Sequence, residues 1–366
     1  MKIDCTKSHL KQIGQKIRNN VPLDIEDIRS LSEFRMGHEK ILADFRYLFN
    51  SKINNKNSLE ILFAQRLKKR DTIYNKLKRH SEMDITRMHD IAGARLIFNS
   101  ISELRNFRAH ILKKPLKKYR KIYQDDKYDY IANPRETGYR GVHDVYEEIG
   151  ADSIKAKIEI QYRTTVQHSW ATMLETWDSY YGRESKFENE HEEIQKLFQY
   201  ISEMFWRTLE GENGESHKII LSNMDLYKNI LQLDNKHNVL SRLNEIKVLK
   251  ADYADGDGKR HTGYMLLQKF RNQMDEQSAK LIIDLLCNRI IENEFEEYFL
   301  GESKDDQSDL VMVTIEHKHL KRAYNNYFND VGAFLRNYKR ATKKLWESLT
   351  KWERLKMRFM RNTGLN

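Results

Sequence analysis

Apolar and polar residues alternate most clearly over positions 154–162 of the chain. The apolar positions recur at every second residue, and they are Ile154, Ala156, Ile158, Ile160 and Tyr162. A period of two residues is typical of a strand that buries one face and leaves the other face polar. The pattern therefore predicts a strand whose polar face carries Glu159, Gln161 and, just beyond it, Arg163.

Other patterns predict two further strands and several helices around this strand. A compact apolar run over 91–98 is typical of a buried strand, and residues 139–146 predict another strand after a turn. The expected helices are short pieces over 1–50, followed by helices over 59–79, 101–112, 165–180 and 189–210. The first part of the chain is therefore expected to be an α+β domain, with a small mixed sheet flanked by helices.

A glycine-containing break at 211–214 is the predicted domain boundary. It separates a domain over 1–212 from a second, mostly helical α+β domain over 213–366. The elements expected in the second domain are a helix over 220–245, two short strands flanking a turn at 255–258, a helix over 275–297, a strand over 310–315 and a basic helix over 330–361.

Composition narrows the class of protein. The chain has 64 Lys and Arg against 54 Asp and Glu, a formal net charge of +10. This charge favours a polyanionic partner such as a nucleotide or RNA, although a solvated helical surface explains it equally well. The two cysteines, Cys5 and Cys287, are too far apart to indicate a zinc module or a disulfide scaffold. No apolar run suits a membrane span and the first residues lack a signal-peptide pattern, so we expect a cytoplasmic protein.

The first candidate group lies on the helix expected over 59–79. Lys68, Thr72 and Lys76 are spaced to share one face of this helix. Two ammonium groups and a hydroxyl on one face suit a polyphosphate, and the nearby Arg66 could stack on a base. An ordinary solvated lysine face is the alternative.

The second candidate is Asp90, placed where the buried strand over 91–98 begins. A carboxylate there suits Mg²⁺, which binds oxygen ligands, although a capping or turn role is the alternative. The neighbouring pair of His89 and Asp90 also resembles the His-Asp pair of metal-dependent phosphohydrolases. The chain upstream is too short to supply the other ligands of such a site, so we reject that interpretation.

Two more groups lie on the expected strands. Glu159, Gln161 and Arg163 in one row suit a metal ion and a nucleotide, while a surface salt-bridge ladder is the alternative. Tyr139 and His143 would share one strand face and offer a stacking plate with a phosphate or ribose contact. A half-buried aromatic edge explains the second pair equally well.

In their order and spacing, these groups resemble the successive synthetase motifs of the RelA/SpoT family over residues 55–180. The matching stretches are Arg66-x-Lys68-x3-Thr72-x3-Lys76, His89 to Arg95, Tyr128 to Pro134, Gly138 to His143 and Ile158 to Thr164. The resemblance implies a nucleotidyltransferase-like synthetase fold. It also implies a pyrophosphokinase that transfers the β,γ-pyrophosphate of ATP to a ribose hydroxyl.

Residue roles follow from the resemblance by position. The ATP-binding residues would be Arg66, on the adenine, and Lys68, Thr72, Lys76 and Arg95, on the phosphates. Asp90 and Glu159 would be the catalytic and Mg²⁺-binding acids, and Glu159 would also help to deprotonate the acceptor. The acceptor-binding residues would be Tyr139, His143, Gln161 and Arg163. Thr72 and Gly141 depart from the family pattern, which more often has serine at these two positions, and Gly141 could loosen the acceptor side.

The acceptor remains open between two branches of the family. One branch makes alarmones from GDP or GTP, and the other modifies the 3′ acceptor end of tRNA and stops translation. Residues 51–121 hold 19 Lys and Arg against 6 Asp and Glu, which suits an RNA backbone. We therefore expect tRNA, with GDP or GTP as the alternative acceptor and a catalytically inactive nucleotide- or RNA-binding protein as a second alternative.

The C-terminal part resembles the tails of longer family members, including fused toxin–antitoxin proteins of the CapRel type. The resemblance rests on 167–172, 197–200, 311–315 and 323–328. It implies that the tail inhibits the enzyme until a phage protein binds. We expect Tyr324, Tyr327 and Phe328 to dock on the acceptor side, so that deletion from about residue 215 releases toxicity. The basic last helix either contacts RNA or is solvated with Trp346 and Trp352 packed inward.

Overall fold

A computed structural model gives the fold of the chain. The described residues are 5–54, 61–113, 116–123, 127–150, 154–181, 188–211, 219–246, 248, 251–253, 264–270, 280–285, 308–314, 320–324, 326–328 and 330–363. Within these ranges the fold is α+β, as the sequence predicts.

Helices precede, separate and follow the strands. The helices are α1 (Lys7–Arg18), α2 (Ile25–Met36), α3 (Glu39–Asn54), α4 (Arg70–Arg79), α5 (Ile101–Leu112), α6 (Thr165–Tyr181), α7 (Glu188–Phe205), α8 (Asn223–His237), α9 (Val239–Glu245), α10 (Leu320–Ala323), α11 (Gly332–Ser348) and α12 (Lys351–Thr363). A 3₁₀ turn spans Ile85–Arg87, and a π-helical turn at Trp206–Glu210 continues α7. The strands are β1 (Leu62–Leu67), β2 (Ala92–Phe98), β3 (Tyr119–Lys121), β4 (Val142–Glu148), β5 (Lys157–Thr164), β6 (Ala251–Tyr253), β7 (Tyr264–Phe270), β8 (Lys280–Leu285) and β9 (Ser308–Thr314).

The described strands form one mixed sheet in the order β3-β4-β5-β2-β1-β9-β7-β8-β6. Strands β2 and β5 are parallel neighbours at its centre, with Gly93 opposite Glu159. Both strands are flanked by antiparallel partners, β1 on one side and β4 on the other. The first five strands in the order are the predicted small mixed sheet, which β9 extends through two residue pairs with β1.

Burial explains why the central strands form where the sequence predicts them. In β5 the apolar residues Ile158, Ile160 and Tyr162 are fully buried, while Glu159 and Gln161 on the other face are partly exposed. Helix α5 begins at Ser100, whose side chain accepts a hydrogen bond from the amide of Glu103, as an N-cap residue does. The predicted strands over 91–98 and 154–162 and the helix over 101–112 are therefore confirmed, with β5 shifted to Lys157–Thr164.

The helix predicted over 59–79 is wrong in its first half. Residues 62–67 form β1, which pairs along its whole length with β2, and helix α4 begins only at Arg70. The apolar residues here are consecutive from Ile61 to Ala64, so they lack helical spacing, and pairing with a distant strand decides their conformation. Arg66 and Lys68 therefore do not share a helix face with Thr72 and Lys76.

Two other predicted elements are corrected. The helix predicted over 275–297 is wrong over 280–285, which form β8 between β7 and β6; its other positions lie outside the described residues. Two adjacent isoleucines favour a strand there. The strand predicted over 139–146 begins at Val142, which leaves Tyr139 in the preceding loop. The turn predicted at 255–258 also lies outside the described residues.

The helices after residue 219 pack on the helices before it. Leu226 of α8 and Phe334 of α11 are buried in one apolar cluster with Trp170, Trp177 and Phe198 of α6 and α7. The predicted division at 212/213 stays a prediction. The predicted last helix is two helices, α11 and α12, which meet at 349–350, and Trp352 is 76% exposed rather than packed inward.

A search of the described residues for a helix both long enough and apolar enough to cross a membrane finds none.

Candidate active site

Asp90 lies just before β2 in a cluster of charged side chains. One carboxylate oxygen is 2.6 Å from Lys68 Nζ and the other is 2.9 Å from Lys76 Nζ. Burial alone would raise the pKa of Asp90, but the two ammonium groups outweigh it and hold the pKa below its usual value. Although Lys68 and Lys76 belong to different elements, the fold brings them to one carboxylate.

Glu159 reaches the same site from β5. Because β2 and β5 are parallel and Gly93 pairs with Glu159, the starts of the two strands lie side by side, and the charge of Glu159 acts on Asp90. The side chains of Asp90 and Glu159 are 20% and 19% exposed, so both remain accessible to a ligand. The structure thus brings together two acids that are distant in sequence, while their roles stay predictions.

The partners of Glu159 keep it ionised. Gln161 Nε2 donates a hydrogen bond of 2.8 Å to Glu159 Oε1, and His143 Nδ1 lies 3.5 Å from Oε2. Burial would raise the pKa of Glu159, but His143 and Gln161 lower it well below its ordinary range. Burial would lower the pKa of His143, but Tyr139 and Glu159 raise it to about 9. His143 is therefore a cation at neutral pH.

Tyr139 completes this side of the site from the loop before β4. Its hydroxyl lies 2.6 Å from His143 Nε2 and accepts a hydrogen bond of 3.1 Å from Arg163 Nε. Burial would raise the pKa of Tyr139, but Arg163 and His143 lower it to about 8. A Cβ atom at Gly141 would lie 3.0 Å from the Tyr139 hydroxyl, so the glycine leaves room for this position of the tyrosine.

Arg66 and Arg95 lie on the neighbouring strands β1 and β2, and Arg95 also pairs with Gln161 of β5. Burial, followed by the charge of Arg163, lowers the pKa of Arg95 to about 10. Thr72 lies in the first turn of α4, one turn before Lys76. The residues that the family resemblance assigns to ATP thus come from β1, β2 and α4.

Residues 320–328 cover this ATP-assigned side. Arg95 Nη1 donates to the carbonyl of Ala323 at 3.3 Å, and Tyr324 donates its hydroxyl hydrogen to the carbonyl of Gln65 at 2.9 Å. Lys69 Nζ lies 4.9 Å from the centre of the Tyr327 ring. Tyr324, Tyr327 and Phe328 are all buried. Tyr324 and Tyr327 contact β1 and the chain before α4, which carry residues that the resemblance assigns to ATP, and docking on the acceptor side stays a prediction.

The donor atoms at 90 and 159 fit Mg²⁺. Two carboxylates supply the oxygen ligands that Mg²⁺ prefers, and this ion usually takes one or two carboxylates together with substrate phosphates. A cluster of three or more His, Cys, Asp or Glu side chains with metal-site geometry is absent from the described ranges. A bound nucleotide would therefore have to complete the coordination.

Tyr130 and Arg135 adjoin the residues that the resemblance assigns to the acceptor, although the sequence alone predicts no role for them. The Arg135 guanidinium lies 4.3 Å from the centre of the Tyr130 ring and donates 2.7 Å to its hydroxyl. Tyr130 in turn contacts the rings of Tyr139 and His143 edge to face, at 5.7 and 5.3 Å between centres. The available signal was that Tyr130 lies inside the Tyr128 to Pro134 motif of the resemblance and that Arg135 follows it directly.

The comparisons with known proteins bear on the same part of the chain. The model of the region found in RelA / SpoT proteins matches residues 65–186, about a third of the chain. Residues 65–186 are therefore similar to the region found in RelA / SpoT proteins. This region contains Asp90, Glu159 and Tyr139, and it ends before α7.

Curated relatives overlap with the RelA/SpoT region. An uncharacterized protein of Mycobacterium tuberculosis is 25% identical over 185 residues, which cover 50% of this chain and 63% of the relative. The GTP pyrophosphokinase YwaC of Bacillus subtilis is 32% identical over 116 residues, which cover 30% of this chain and 53% of the relative. The matches thus span less than two thirds of either relative.

Solved structures of small alarmone synthetases also align with the chain. Synthetase 2 of Bacillus subtilis aligns with 56% of this chain and 96% of its own, at 21% identity and a TM-score of 0.38. Synthetase 1 of the same organism, bound to its product pppGpp, aligns with 49% of this chain and 92% of its own, at 20% identity and a TM-score of 0.41.

Proposed function

We propose that the chain is a pyrophosphokinase that transfers the β,γ-pyrophosphate of ATP to a ribose hydroxyl, with the 3′ end of tRNA as the acceptor. The observation that carries this proposal is the meeting of Asp90 and Glu159 beside the ammonium groups of Lys68 and Lys76. Transfer of a phosphoryl-type group needs charge neutralisation and alignment of two oxygens rather than covalent chemistry. Carboxylates and cations at one place supply both needs.

The residues divide into two sides. Lys68 and Lys76 bind the phosphates of ATP together with Arg95, and Arg66 lies against the base. Mg²⁺, when bound by Asp90 and Glu159, neutralises charge that develops on the transferred group. The matching RelA/SpoT region supports this division, since it contains both acids and all four cations.

Glu159 and His143 hold different protonation states on the acceptor side. His143 is protonated at neutral pH because its pKa is raised to about 9, so it donates hydrogen bonds and does not act as a base. Glu159 is the ionised group nearest to it, and it is the acceptor for the proton of the attacking hydroxyl. Binding of an acceptor between them would weaken the contact with His143 and raise the proton affinity of Glu159.

Two observations favour different acceptors. The excess of Lys and Arg over 51–121 supports an RNA backbone as a ligand. The GTP pyrophosphokinase named among the relatives supports GDP or GTP as the second candidate, with alarmone synthesis as the outcome. Because tRNA, GDP and GTP all occur in the cytoplasm, we propose a cytoplasmic protein for either acceptor.

The acceptor is tested by incubating the full chain with Mg²⁺ and ATP labelled in its γ-phosphate, together with tRNA, GDP and GTP in one mixture. We expect label on tRNA. Label that appears only on the guanosine nucleotides refutes the tRNA acceptor and leaves pyrophosphate transfer intact. Label on no acceptor, also in the presence of a candidate trigger protein, refutes the enzyme.

The tail is the proposed regulator of this activity. Tyr324 and Tyr327 are buried and contact the side that we assign to ATP, which supports inhibition by competition with ATP. A phage protein that binds the C-terminal part would release the site, and the protein would then stop translation in defence of the cell. Deletion from residue 215 is a poor test, because it removes Leu226 and Phe334 from a shared apolar core; point variants are needed.

A further inference from the structure

A buried triad of charges connects the loop that carries Tyr139 to the start of the C-terminal part. Glu203 on α7 is its centre, with a side chain that is 1% exposed. One of its oxygens accepts 2.9 Å from Arg140 Nη2, and the other accepts 2.9 Å from Arg207 Nε. Removing a carboxylate and two guanidinium groups from water is costly, so the three charges stay buried only while they remain together.

Arg140 belongs to the loop 138–141, which contains Tyr139. Its guanidinium lies 4.4 Å from the centre of the Trp206 ring and donates to the carbonyl of Ile131. The loop also rests directly on α7, since Ser202 Oγ donates to the carbonyl of Gly138. Gly138 has a φ of +89°, and a Cβ atom there would lie 3.1 Å from the Cα of Gln199. The loop is therefore held against α7 by close packing and by one ion pair.

Arg207 makes the corresponding connection on the other side of Glu203. It donates 2.6 Å to the carbonyl of Ile219, 2.8 Å to that of Leu221 and 3.1 Å to Asn223 Oδ1. Asn223 then donates 3.0 Å to Ser348 Oγ at the end of α11. A single guanidinium thus fixes the segment 219–223, where the C-terminal helices begin.

We propose that Glu203 is a positioning residue that holds the acceptor loop 138–141 through Arg140 and the segment 219–223 through Arg207. This inference depends on the proposed function in one respect, because the role of the loop in acceptor binding comes from that proposal. The first segment contains Tyr139, and the second lies where α8 starts, so one carboxylate connects both to α7. Glu203 touches neither substrate in this role, and its loss should affect acceptor binding without affecting ATP binding.

Hydrogen exchange of the full chain tests both connections without any need for catalysis. Two backbone hydrogen bonds report on the loop. The amide of Gly138 donates to the carbonyl of Arg135 at 2.9 Å, and the amide of Tyr130 donates to the carbonyl of Gly141 at 2.8 Å. Glu203→Gln should speed exchange in both segments by about tenfold, since both arginines lose a charged partner and the single amide oxygen that remains can accept from only one of them. Arg140→Gln should affect only the loop, and Arg207→Gln only 219–223.

Arg140→Gln is the safeguard if Glu203→Gln does not fold, because it leaves Glu203 paired with Arg207. The matched control is Glu192→Gln, the same substitution at an exposed position of the same helix. Unchanged exchange in both segments of folded Glu203→Gln overturns the proposal. If Glu203→Gln does not fold, unchanged loop exchange in Arg140→Gln overturns it instead.

Steady-state kinetics then separate a positioning role from a structural one. We expect Arg140→Gln to raise the KM for the acceptor by about tenfold and to leave the KM for ATP within about twofold of wild type. Equal rises of both KM values mean a general structural role and overturn the proposal. Should the wild-type chain transfer pyrophosphate to no acceptor, the proposed function fails, while the exchange experiment still decides whether Glu203 holds the two segments.

Discussion

Replacing Tyr324 by phenylalanine should increase the affinity of the full chain for ATP. The substitution keeps the buried ring and removes one hydroxyl, which donates to the carbonyl of Gln65 at 2.9 Å in a buried contact. Such a hydrogen bond contributes about 1 kcal/mol net, so its loss shifts the balance between the docked and the released tail about fivefold. If the docked tail excludes ATP, the apparent Kd for ATP should fall by the same factor, provided that the docked state predominates.

Calorimetric titration with a non-hydrolysable ATP analogue measures this effect without turnover. Tyr338→Phe is a matched control, because it is the same substitution on α11, where Tyr338 packs beside Phe334, away from β1 and β2. We expect its Kd for the analogue to equal that of wild type. An unchanged or weaker affinity in a folded Tyr324→Phe protein would refute the competition between tail and ATP.

Three further predictions follow from buried charges. Glu159→Gln should reduce transfer by about 10³-fold at an unchanged melting temperature, since several kcal/mol of charge stabilisation are lost in the transition state. Arg108→Met should cost about 1–3 kcal/mol in urea unfolding, because buried Asp144 loses two bonds of 2.9 and 2.8 Å and keeps its ion pair with Lys121. Glu210→Gln should be more stable than the wild-type chain, and this gain in melting temperature should be larger at pH 8 than at pH 5.

The sign of the Glu210 prediction follows from burial, which raises the pKa of this carboxyl to about 7 from 4.5. The folded state favours the protonated form, so its stabilising contribution is complete below pH 4.5 and is lost as the pH rises through about 7. Glutamine stays neutral, so its advantage should grow to the order of 2 kcal/mol at pH 8, after a reduction for partial exposure. Parallel stability curves for the two proteins would contradict the assignment.

The other two predictions have equally direct tests. For Glu159→Gln, the control is Glu192→Gln on the exposed face of α7, and retained transfer would remove Glu159 from the chemistry. For Arg108→Met, the control is Arg79→Met on α4, whose exposed side chain donates to the carbonyl of Asn75. Equal losses of stability in the two arginine variants would mean that the buried pair of Arg108 and Asp144 contributes no more to the free energy of unfolding than an exposed arginine does.

The sequence predicts those elements whose burial pattern is local. In β5 the alternation of apolar and polar residues around Glu159 is visible within nine residues. The apolar run of β2 shows no competing helical period. Strand β1 escapes prediction because its conformation depends on pairing with β2, about 30 residues away. The prediction for β8 fails for the same reason, since this segment pairs with β7 and its sequence suits either a helix or a strand.

The candidate site shows the same division between local and long-range information. The identities of Asp90 and Glu159 are predictable from motif order, and their meeting depends only on β2 and β5 being parallel neighbours. The loop position of Tyr139 and the place where Tyr324 docks are not predictable in this way. Both are set by contacts across the fold, with Arg163 in the first case and with Gln65 in the second.

The contacts of the tail indicate how it would compete with a nucleotide. Arg95 is bonded to a neutral carbonyl, that of Ala323, and Lys69 lies over the ring of Tyr327. Both are weaker partners for a cation than a phosphate oxygen is. The tail thus contacts Arg95 and Lys69 through neutral groups, and Tyr324, Tyr327 and Phe328 are buried. Such docking should be insensitive to salt, whereas the binding of ATP that displaces it should weaken as ionic strength rises.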